Sequence, residues 1–394
     1  MIFDKGELFC GPGGLTLGAK LAEVKDSEGN IYKVNHKWAV DYDEDTCETF
    51  RHNICPENRK SVICADVKRL KLNLMPDIDC FAFGFPCNDF SIVGKSKGLE
   101  GEFGPLYTYG IKVLRYKKPK WFIAENVGGL ESANDGLALI QILKEMEDAG
   151  YNITPHKYNF EEYGVPQARH RIIIVGIRKD INLKFQVPKA PFKNKDEWTS
   201  ARSVLEVPIP KDAPNNEPTK HTKQVIERLS IIKPGDNAWA PYIPEKYRLN
   251  VKGAKMSNIY KRLDPDAPAY TVTGSGGGGT HMYHYAEPRA LTSRERARLQ
   301  TFPDDFVFIG GSESVRAQVG MAVPVDGAKI IIEAILNTFA GNEYPTEPAR
   351  WDEEEIRQMI ETGQQKKKKT RKGKTKSSQK QVEVALEGQG AFDI

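Results

Sequence analysis

Cys87 is the residue whose position in the sequence could most directly support covalent chemistry. It comes shortly after the apolar run 79–83, so its thiol would lie just past the end of a predicted strand. A thiol attacks mainly as its thiolate, and a turn with exposed backbone N–H groups can lower the pKa of a cysteine. The alternative is a small packing residue, as most free cysteines are. Both interpretations of Cys87 stay open at this point.

A carboxylate and two guanidinium groups occupy similar positions. Glu125 directly follows the apolar run 121–124, and a carboxylate with apolar neighbours tends to hold its proton, which suits a general acid. Arg169 and Arg171 come at the start of the apolar run 172–177, where they could face a substrate or phosphates on one side. Taken singly, a salt-bridging glutamate and solvated arginines are equally reasonable.

A glycine-rich turn follows the first predicted strand, residues 8–10. Its sequence lets a ligand approach the backbone closely at three glycines, Gly11, Gly13 and Gly14. Asp41 ends the second predicted strand, 37–40, and is placed to bind a ribose diol. Tyr42 could stack on an adenine, and Asp66 could accept a hydrogen bond from its exocyclic amine. Adenosine is the implied ligand, although loop polarity alone would also explain these residues.

The elements that position these groups alternate between strand and helix. The first predicted helix runs from Leu15 to Glu23, and residues 137–149 form a second, clearly amphipathic helix. The predicted strands, in chain order, are 8–10, 37–40, 79–83, 121–124 and 171–177. This order predicts an α/β fold built on a doubly wound sheet, with ligands bound at the carboxyl ends of the strands.

Length and composition fit a globular protein of two domains. The chain has 394 residues, of which 39% are hydrophobic and 28% charged, so it can bury a large core. It has no stretch of 18 apolar residues and no charged leader before an apolar core, so we expect neither a membrane span nor secretion. All six cysteines fall within the first ninety residues without a Cys-x-x-Cys pair, which favours reduced thiols over disulfides or zinc.

The positive charge of the chain is concentrated near its C-terminus. Residues 366–376 carry eight positive charges and no negative one, and without them the net charge of +4 becomes −4. A nucleic-acid site in the body must therefore be a local basic patch. The Lys-, Ser- and Gln-rich segment from Gln364 is predicted to be disordered; it could contact DNA, act as a nuclear address or simply be solvated.

Six segments of the sequence, in order, resemble motifs of the DNA (cytosine-5) methyltransferase family. They are Phe-Cys-Gly-Pro-Gly-Gly at 9–14, Gly-Phe-Pro-Cys at 84–87, Glu-Asn-Val at 125–127, Gln-Ala-Arg-His-Arg at 167–171, Arg-Glu-Arg-Ala-Arg-Leu-Gln with Phe-Pro-Asp at 294–304, and Gln-Val-Gly-Met-Ala-Val-Pro at 318–324. The resemblance covers about residues 5–340. Six matches in the family's order make coincidence implausible.

The resemblance implies a Rossmann-like fold with a mixed sheet, and methyl transfer from S-adenosyl-L-methionine to carbon 5 of cytosine. In the family a thiolate, here Cys87, adds to carbon 6, and the resulting enamine attacks the methyl group. Glu125 would protonate or hydrogen-bond ring nitrogen 3 and the exocyclic amine, Arg171 would hold the cytosine carbonyl, and Arg169 would support the loop. Such chemistry requires that the cytosine be flipped out of duplex DNA. The cofactor-binding residues implied by the resemblance are Phe9, Gly11, Gly13, Gly14, Asp41, Tyr42, Asp66, Val67, Pro86, Leu106 and, bordering the transferred group, Met321.

The family's organisation implies three regions. Residues 1–180 and 288–345 would form a discontinuous catalytic domain, and residues 181–287, rich in proline with interleaved basic and aromatic residues, a smaller loop-rich target-recognition domain. Residues 346–394 would form a C-terminal helix and the Lys-rich tail.

The expected partner is double-stranded DNA, bound by a monomer that contacts no membrane. The protein would act in the cytoplasm of a bacterial or phage-infected cell or, if eukaryotic, in the nucleus. A restriction endonuclease acting on the same site would be its partner in a restriction-modification system, whereas an orphan or phage methylase would have none.

Three positions depart from the family pattern. Asn88 replaces a frequent Gln after the cysteine, Phe103 replaces a frequent Arg, and Met321 replaces the usual Asn after Gly320. In the family, residues at positions 88 and 321 border the transferred group. Altered transfer efficiency, or tolerance of a modified cofactor, is therefore one alternative function.

Other classes of protein are weaker alternatives. A tRNA cytosine-5 methyltransferase would share the fold, the cofactor and Cys87, but the Cys-Phe-Thr signature of that relative does not occur after the arginine motif. A non-enzymatic DNA-binding module would be favoured only if Cys87 or Glu125 were replaced. A nicotinamide-dependent oxidoreductase would need the dinucleotide fingerprint with its third, pyrophosphate-cradling glycine, which the Phe-x-Gly-x-Gly-Gly pattern of this turn does not match.

Overall fold

Eight strands form one mixed sheet in the part of the chain that the computed structural model describes, residues 1–85, 106–249, 257–274 and 278–362. In chain order the strands of these residues are β1 (Ile2–Leu8), β2 (Glu23–Lys25), β3 (Ile31–Asp41), β4 (Val62–Cys64), β5 (Cys80–Gly84), β6 (Trp121–Val127), β7 (Tyr151–Asn159), β8 (Gln167–Ala168), β9 (His170–Arg178), β10 (Val187–Pro188), β11 (Ala269–Tyr270) and β12 (Thr346–Glu347). Their α-helices are α1 (Gly14–Leu21), α2 (Glu44–Asn53), α3 (Tyr107–Lys117), α4 (Leu137–Asp148), α5 (Ala201–Leu205), α6 (Lys223–Ile231), α7 (Ser293–Leu299), α8 (Ser312–Met321), α9 (Val325–Ala340) and α10 (Glu353–Thr362). The predictions made for Pro86, Cys87, Asn88, Phe103 and the Lys-rich segment 364–394 lie outside the described residues.

The first strand lies at the centre of the sheet. β1 is flanked by β3 and β5 and is parallel to both. The strand order is β2-β3-β1-β5-β6-β9-β7, and β4 pairs with the carboxyl end of β3. β5 and β6 are parallel, whereas β9 is antiparallel to both β6 and β7. Because the chain leaves β1 toward β3 on one side and later continues at β5 on the other, a crevice opens at the carboxyl end of β1.

Both faces of the sheet are buried, and the side chains of each strand alternate between them. On β5, Phe81 and Phe83 pack in a cluster with residues of α3, α4 and α10, whereas Cys80 and Ala82 pack in a second cluster with residues of α1 and α9. All four side chains are fully buried. A strand that is covered on both faces has a continuous apolar sequence, and the sequence of β5 fits this pattern. The predicted α/β fold with a doubly wound mixed sheet is confirmed.

The first helix is shorter than predicted. α1 begins at Gly14 and ends at Leu21 rather than running from Leu15 to Glu23. It ends early because Ala22 is extended and β2 pairs with β3 as an antiparallel hairpin. In the turn of this hairpin, the Asp26 carboxylate accepts two backbone N–H groups at 3.0 and 2.8 Å. Such an Asx-type turn is a local signal that competes with continuation of the helix.

Residues 181–287 contain only short elements where they are described, together with a small apolar core of their own. Four of its buried residues are Leu229, Ile232, Tyr260 and Tyr283. Arg262 is buried among them and donates hydrogen bonds to the backbone carbonyls of Leu229, Ile232, His284 and Tyr285. The Arg262 side chain thus supplies the hydrogen bonds that these carbonyl groups would otherwise receive from a neighbouring strand.

The last described helix completes one face of the sheet. α10 packs against α4 through Ile356 and Met359, and β12 pairs with β10. The helix lies within the region 346–394, for which a C-terminal helix was expected. None of the helices among the described residues is long and apolar enough to cross a membrane.

Substitution of Gly18 tests how closely α1 packs against α9. A Cβ added at Gly18 would lie 2.6 Å from the Val325 carbonyl oxygen and 2.8 Å from the Ala328 Cβ. We expect Gly18→Ala to lower the free energy of unfolding by about 1–3 kcal/mol, since this clash outweighs the gain in helix propensity. Urea unfolding measures the change.

Gly311→Ala is the matched control for Gly18→Ala. A Cβ at Gly311 would meet nothing within 4 Å, and its φ of −71° suits any residue. We expect a change below about 1 kcal/mol, limited to the weaker N-cap preference of alanine. Equal losses in the two variants would contradict the close approach of α1 and α9.

Candidate active site

Glu125 and Arg171, two of the residues predicted to do chemistry, meet at one edge of the sheet. Glu125 of β6 pairs with Gly84 at the carboxyl end of β5. Because β9 is antiparallel to β6, its first residues lie at the same edge, and Arg171 pairs with Val127. Arg171, near the start of β9, thus lies beside the ends of β5 and β6.

The Glu125 carboxylate contacts the Arg171 guanidinium directly. Glu125 Oε1 lies 2.7 Å from Arg171 Nε, and the two side chains are 13% and 12% exposed. The Nε–H makes no well-directed hydrogen bond within the described residues, so charge rather than a directed bond holds the pair together. Arg171 Nη1 donates to the carbonyl oxygen of His170 at 2.8 Å. The apolar surroundings expected for the Glu125 carboxylate are therefore incomplete, since a guanidinium is its nearest charged neighbour.

The chain that leads into Cys87 passes beside this pair. Gly84 is so close to Glu125 that an added Cβ would lie 3.3 Å from Oε2. Phe85 is buried, and its carbonyl oxygen accepts a hydrogen bond from Asn126 Nδ2 at 3.3 Å. Asn126 is itself buried and so fixes the last described residue before Pro86 and Cys87. No role was predicted for Asn126, although an amide two residues after the apolar run 121–124 was a visible signal.

The glycine-rich turn after β1 adopts a conformation that few residues other than glycine can take. β1 ends at Leu8, two residues before the predicted end, and φ is +55° at Phe9, +55° at Gly11 and +101° at Gly13. A non-glycine residue with positive φ, such as Phe9, is strained and must be held by its surroundings. The turn therefore presents its backbone to the crevice at the end of β1.

Asp41 holds this turn in place. Its Oδ2 accepts the N–H of Gly11 at 2.9 Å, and its Oδ1 accepts the N–H groups of Tyr42 and Asp43 at 2.8 and 3.2 Å. Burial raises the pKa of Asp41, and the three backbone hydrogen bonds oppose that rise. Asp41 lies at the end of β3, as the sequence predicts. Its hydrogen bond to Gly11, which ties β3 to the turn, was not predicted.

The other predicted cofactor residues that the structure describes differ widely in exposure. Tyr42 is 75% exposed. Asp66 is exposed and accepts the N–H of Lys68 at 2.9 Å, which caps a short turn. Val67 and Leu106 are buried in the apolar cluster on the α3 side of the sheet.

Met321 and Gly14 connect the turn to the C-terminal part of the chain. Met321 ends α8, is 50% exposed, and its Sδ lies 3.7 Å from where a Cβ of Gly11 would stand. A Cβ at Gly14 would lie 2.4 Å from the Val323 carbonyl oxygen, so only glycine permits this approach. Residues separated by about three hundred positions therefore form one wall of the crevice.

A buried polar triad lies beneath the turn and was not anticipated. Lys5 Nζ donates to Thr16 Oγ1 at 2.7 Å, and the Glu7 carboxylate contacts both Lys5 and Thr16. All three side chains are buried. Lys5 and Glu7, at alternate positions of the central strand β1, could have indicated this triad, because a buried charge requires a partner. The triad joins β1 to α1 on either side of the turn.

Arg169 is buried and contacts backbone rather than the crevice. Its Nη1 donates to the Val272 carbonyl at 3.0 Å and its Nη2 to the Gly320 carbonyl at 3.1 Å. Gln167 accepts the N–H of Val272 at 2.7 Å and donates to Gln300 Oε1 at 3.0 Å. Gln300 in turn donates to two carbonyls at the end of α8, at 2.7 and 3.2 Å. We call these three side chains the Gln167–Arg169–Gln300 network.

Comparison with known proteins identifies the family to which this arrangement belongs. The family model described as C-5 cytosine-specific DNA methylase matches residues 3–337. The chain belongs to this family. The methylase is 58% identical over 375 residues to the type II methyltransferase M.BbvI of Brevibacillus brevis, covering 93% of this chain and 100% of that one. It is 40% identical over 342 residues to the type II methyltransferase M.NgoFVII of Neisseria gonorrhoeae, covering 85% and 87%.

Solved structures agree on the fold of the methylase. A proposed DNA modification methyltransferase encoded within an E. coli prophage superposes with a TM-score of 0.65 at 22% identity, covering 85% of this chain and 99% of that one. The predicted family and the predicted enzyme class, a DNA (cytosine-5) methyltransferase, are confirmed. The non-enzymatic module and the nicotinamide-dependent oxidoreductase are thereby ruled out.

Arg169 and Arg171 of the methylase are expected to differ sharply in their effect on stability. Arg169→Gln should lower the free energy of unfolding by about 2–5 kcal/mol, since it leaves buried carbonyl groups without their charged donor. Arg171→Gln should lower it by about 1 kcal/mol, because water can replace the guanidinium at the edge of the crevice. Urea unfolding of both variants measures the difference. Equal stabilities would mean that the buried network does not hold its segments together.

Proposed function

We propose that this chain transfers a methyl group from S-adenosyl-L-methionine to carbon 5 of a cytosine flipped out of duplex DNA, through an adduct between Cys87 and carbon 6. The observation that carries the proposal is the 2.7 Å contact between Glu125 and Arg171, beside the strand end that leads into Cys87. A carboxylate and a guanidinium at this separation can bind polar groups along one side of a pyrimidine. Membership of the cytosine-specific DNA methylase family supports DNA over tRNA as the substrate.

The proposed reaction proceeds by addition and elimination at the cytosine ring. The Sγ atom of Cys87 forms a bond to carbon 6, and the electron pair of the 5,6 double bond moves toward carbon 5. Glu125 protonates or hydrogen-bonds ring nitrogen 3 and the exocyclic amine, and Arg171 donates to the carbonyl oxygen, so the developing charge is dispersed. After carbon 5 has gained the methyl group, its proton leaves to water. The electrons of that C–H bond re-form the double bond, and the Sγ–carbon 6 bond breaks to return the thiolate.

The mutual contact of Glu125 and Arg171 prepares both groups for this role. An entering cytosine would exchange the ion pair for hydrogen bonds from the guanidinium to its carbonyl oxygen and from its exocyclic amine to the carboxylate. The pair keeps each charge compensated within a crevice where both side chains are largely buried. Asn126 is a positioning residue in this scheme, because it holds the Phe85 carbonyl at the start of the Cys87 segment.

The crevice at the end of β1 fits the cofactor. S-adenosyl-L-methionine supplies an electrophilic methyl group when bound. A carboxylate has about four lone-pair sites, so Asp41, which accepts three backbone N–H groups, retains capacity for a ribose hydroxyl. The exposed Tyr42 ring offers a face for the adenine. The residues proposed to hold the cofactor are Phe9, Gly11, Gly13, Gly14, Asp41, Tyr42, Asp66, Val67, Pro86, Leu106 and Met321.

The remaining regions would supply DNA recognition. Flipping a base costs a few kcal/mol, which contacts to the DNA must offset. We assign these contacts chiefly to residues 181–287, with residues 1–180 and 288–345 as the catalytic domain and the tail within 346–394 as an additional basic contact. The named type II relatives support a bacterial modification enzyme. We further propose that it acts as a monomer on cytoplasmic DNA, with a restriction endonuclease of the same specificity as its partner.

Sequencing of DNA from cells that express the chain tests the proposed function. Bisulfite sequencing should reveal methylated cytosines within one short recognition sequence. Cys87→Ala should abolish this methylation while the protein remains folded, since no other group can add to carbon 6. Methylation by the Cys87→Ala variant would contradict the proposed mechanism. Methylation of tRNA instead of duplex DNA, measured with a tritiated methyl donor, would assign the enzyme to the tRNA class.

A trapped adduct tests the role of Cys87 separately from overall activity. A duplex in which the target cytosine carries fluorine at carbon 5 cannot release a proton there, so elimination should stop and the Sγ–carbon 6 bond should persist. Wild-type protein should then form a complex that survives denaturing electrophoresis, and Cys87→Ser should not. An equally stable complex of Cys87→Ser would assign the covalent bond to another residue.

Met321 is expected to affect the transfer step or the choice of cofactor. Its thioether contacts the turn at Gly11, where an asparagine in the family would offer a hydrogen-bonding group. Met321→Asn should therefore change kcat, or the relative rates with S-adenosyl-L-methionine and an analogue carrying a larger transferable group, by about tenfold, which is 1.4 kcal/mol. Met321→Leu, which keeps the apolar contact, is the matched control. Unchanged rates and unchanged cofactor preference in Met321→Asn would show that this position has no such role.

A further inference from the structure

A cavity of about 260 Å³ lies beside α7 and the segment that follows β11. It is partly open to solvent and does not belong to the crevice that holds Glu125, Arg171 and the glycine-rich turn. Its polar lining comes from Asn258, Thr271, Thr273, Thr280 and Arg296. Hydroxyl, amide and guanidinium groups are the side chains that bind phosphate oxygens in proteins.

Arg296 brings an uncompensated positive charge to this cavity. The residue is only 3% exposed, and its Nε and Nη2 atoms make no hydrogen bond to any described residue. Burial, together with the nearby positive charge of Arg316, lowers the pKa of Arg296 to about 10. A guanidinium has five N–H donors, and buried donors normally have acceptors. The Nε and Nη2 atoms of Arg296 are therefore free to donate to a bound acceptor.

The neighbouring arginines of α7 are fully engaged by contrast. Arg294 donates to three backbone carbonyls, those of Pro214, Pro303 and Phe306. Arg298 contacts the Asp304 carboxylate at 2.6 and 2.8 Å and donates to three further carbonyls. Both therefore serve the fold of this region. Arg296 is flanked by these two residues in sequence and differs from them in facing a cavity.

Carboxylates near Arg296 are directed elsewhere. Glu295 binds Arg289 through two contacts of 2.7 and 2.8 Å, and the Glu313 carboxylate is exposed and lies 3.9 Å from Arg316. His281, which Arg296 and Arg316 both influence, has a pKa lowered to about 4 by its burial and by these charges, so it is neutral at pH 7. Two guanidinium groups thus act on this site, and the buried carboxylate nearby, Glu295, is already paired with Arg289, which leaves the site attractive to an anion.

The cavity lies where the target-recognition segment meets the catalytic part of the chain. Val272, in its lining, is bonded to both Arg169 and Gln167 of the Gln167–Arg169–Gln300 network. Gly274 packs so closely against α8 that an added Cβ would lie 3.0 Å from Ala317. The cofactor crevice is reached from another part of α8, where Met321 approaches Gly11. An anion in the cavity would accordingly contact Arg296 rather than the proposed cofactor crevice.

We propose that Arg296 binds a backbone phosphate of the DNA in this cavity. The inference rests on the proposed function, because it takes duplex DNA as the ligand. The planar guanidinium of arginine can donate two hydrogen bonds to the oxygens of one phosphodiester, which would supply the negative charge that the cavity lacks. Since the contact reads no base, it strengthens binding to cognate and unrelated duplexes alike.

Fluorescence anisotropy with a labelled duplex, measured over a range of salt concentrations, tests this inference. Arg296→Gln should weaken binding about tenfold to a hundredfold, equally for a duplex with the target site and for one without it. The slope of log K against log salt should fall in magnitude by about 0.9, as for the loss of one phosphate contact. Arg296→Lys should keep most of the slope because it keeps the charge. Arg357→Gln, on the exposed face of α10, is the control and should match wild type.

Melting temperatures without DNA separate a binding role from a structural one. Because Arg296 is an unpaired buried charge, Arg296→Gln should melt at or above the wild-type temperature. A lower melting temperature would assign Arg296 to the fold and overturn the inference, and so would an unchanged salt slope. Weakened binding of S-adenosyl-L-methionine with unchanged DNA binding would assign the site to the cofactor, which also overturns it. If the wild-type protein itself binds no duplex, the proposed function fails instead.

Discussion

The buried Arg169 guanidinium is the constraint on which the arrangement of the site depends. It donates to carbonyls of two segments that are distant in sequence, at Val272 and Gly320, and Gln167 and Gln300 extend the same network. The buried carbonyls at these positions need donors, and no strand ladder is available to supply them. Removing one donor would therefore leave several polar groups unsatisfied at once, which is why such networks behave as units.

This constraint explains how one short stretch of chain serves two purposes. Arg169 faces inward and fixes the end of α8, whereas Arg171, two residues later, contacts Glu125 at the crevice. Residues two apart on one strand would point to the same side, but β9 begins only at His170, so Arg169 precedes the regular strand. The end of α8 carries Met321 to the turn at Gly11. The network thus sets the cofactor crevice and the substrate side of the site relative to each other.

The proximity of Glu125 and Arg171 could be predicted from the sequence because it depends on strand order. Glu125 follows a buried apolar run, and in a doubly wound sheet such ends share one edge. What could not be predicted depends on contacts between distant segments. The sequence offered no means to see that the Asp41 carboxylate accepts the N–H of Gly11, or that Lys5, Glu7 and Thr16 are mutual partners. The helix error at Leu21 has a different origin, since a local turn at Asp26 competes with helical periodicity.

The Glu125–Arg171 contact gives the proposed site a basis for rejecting the wrong base. Both side chains are largely buried, so separating them leaves two charges that must be compensated by whatever enters. Cytosine offers its carbonyl oxygen as an acceptor to the guanidinium and its exocyclic amine as a donor to the carboxylate. Thymine presents a carbonyl where cytosine presents the amine, and it would leave the carboxylate facing an acceptor. A site that must exchange one ion pair for matched hydrogen bonds discriminates more strongly than an apolar pocket, because a mismatch leaves a buried charge unpaired.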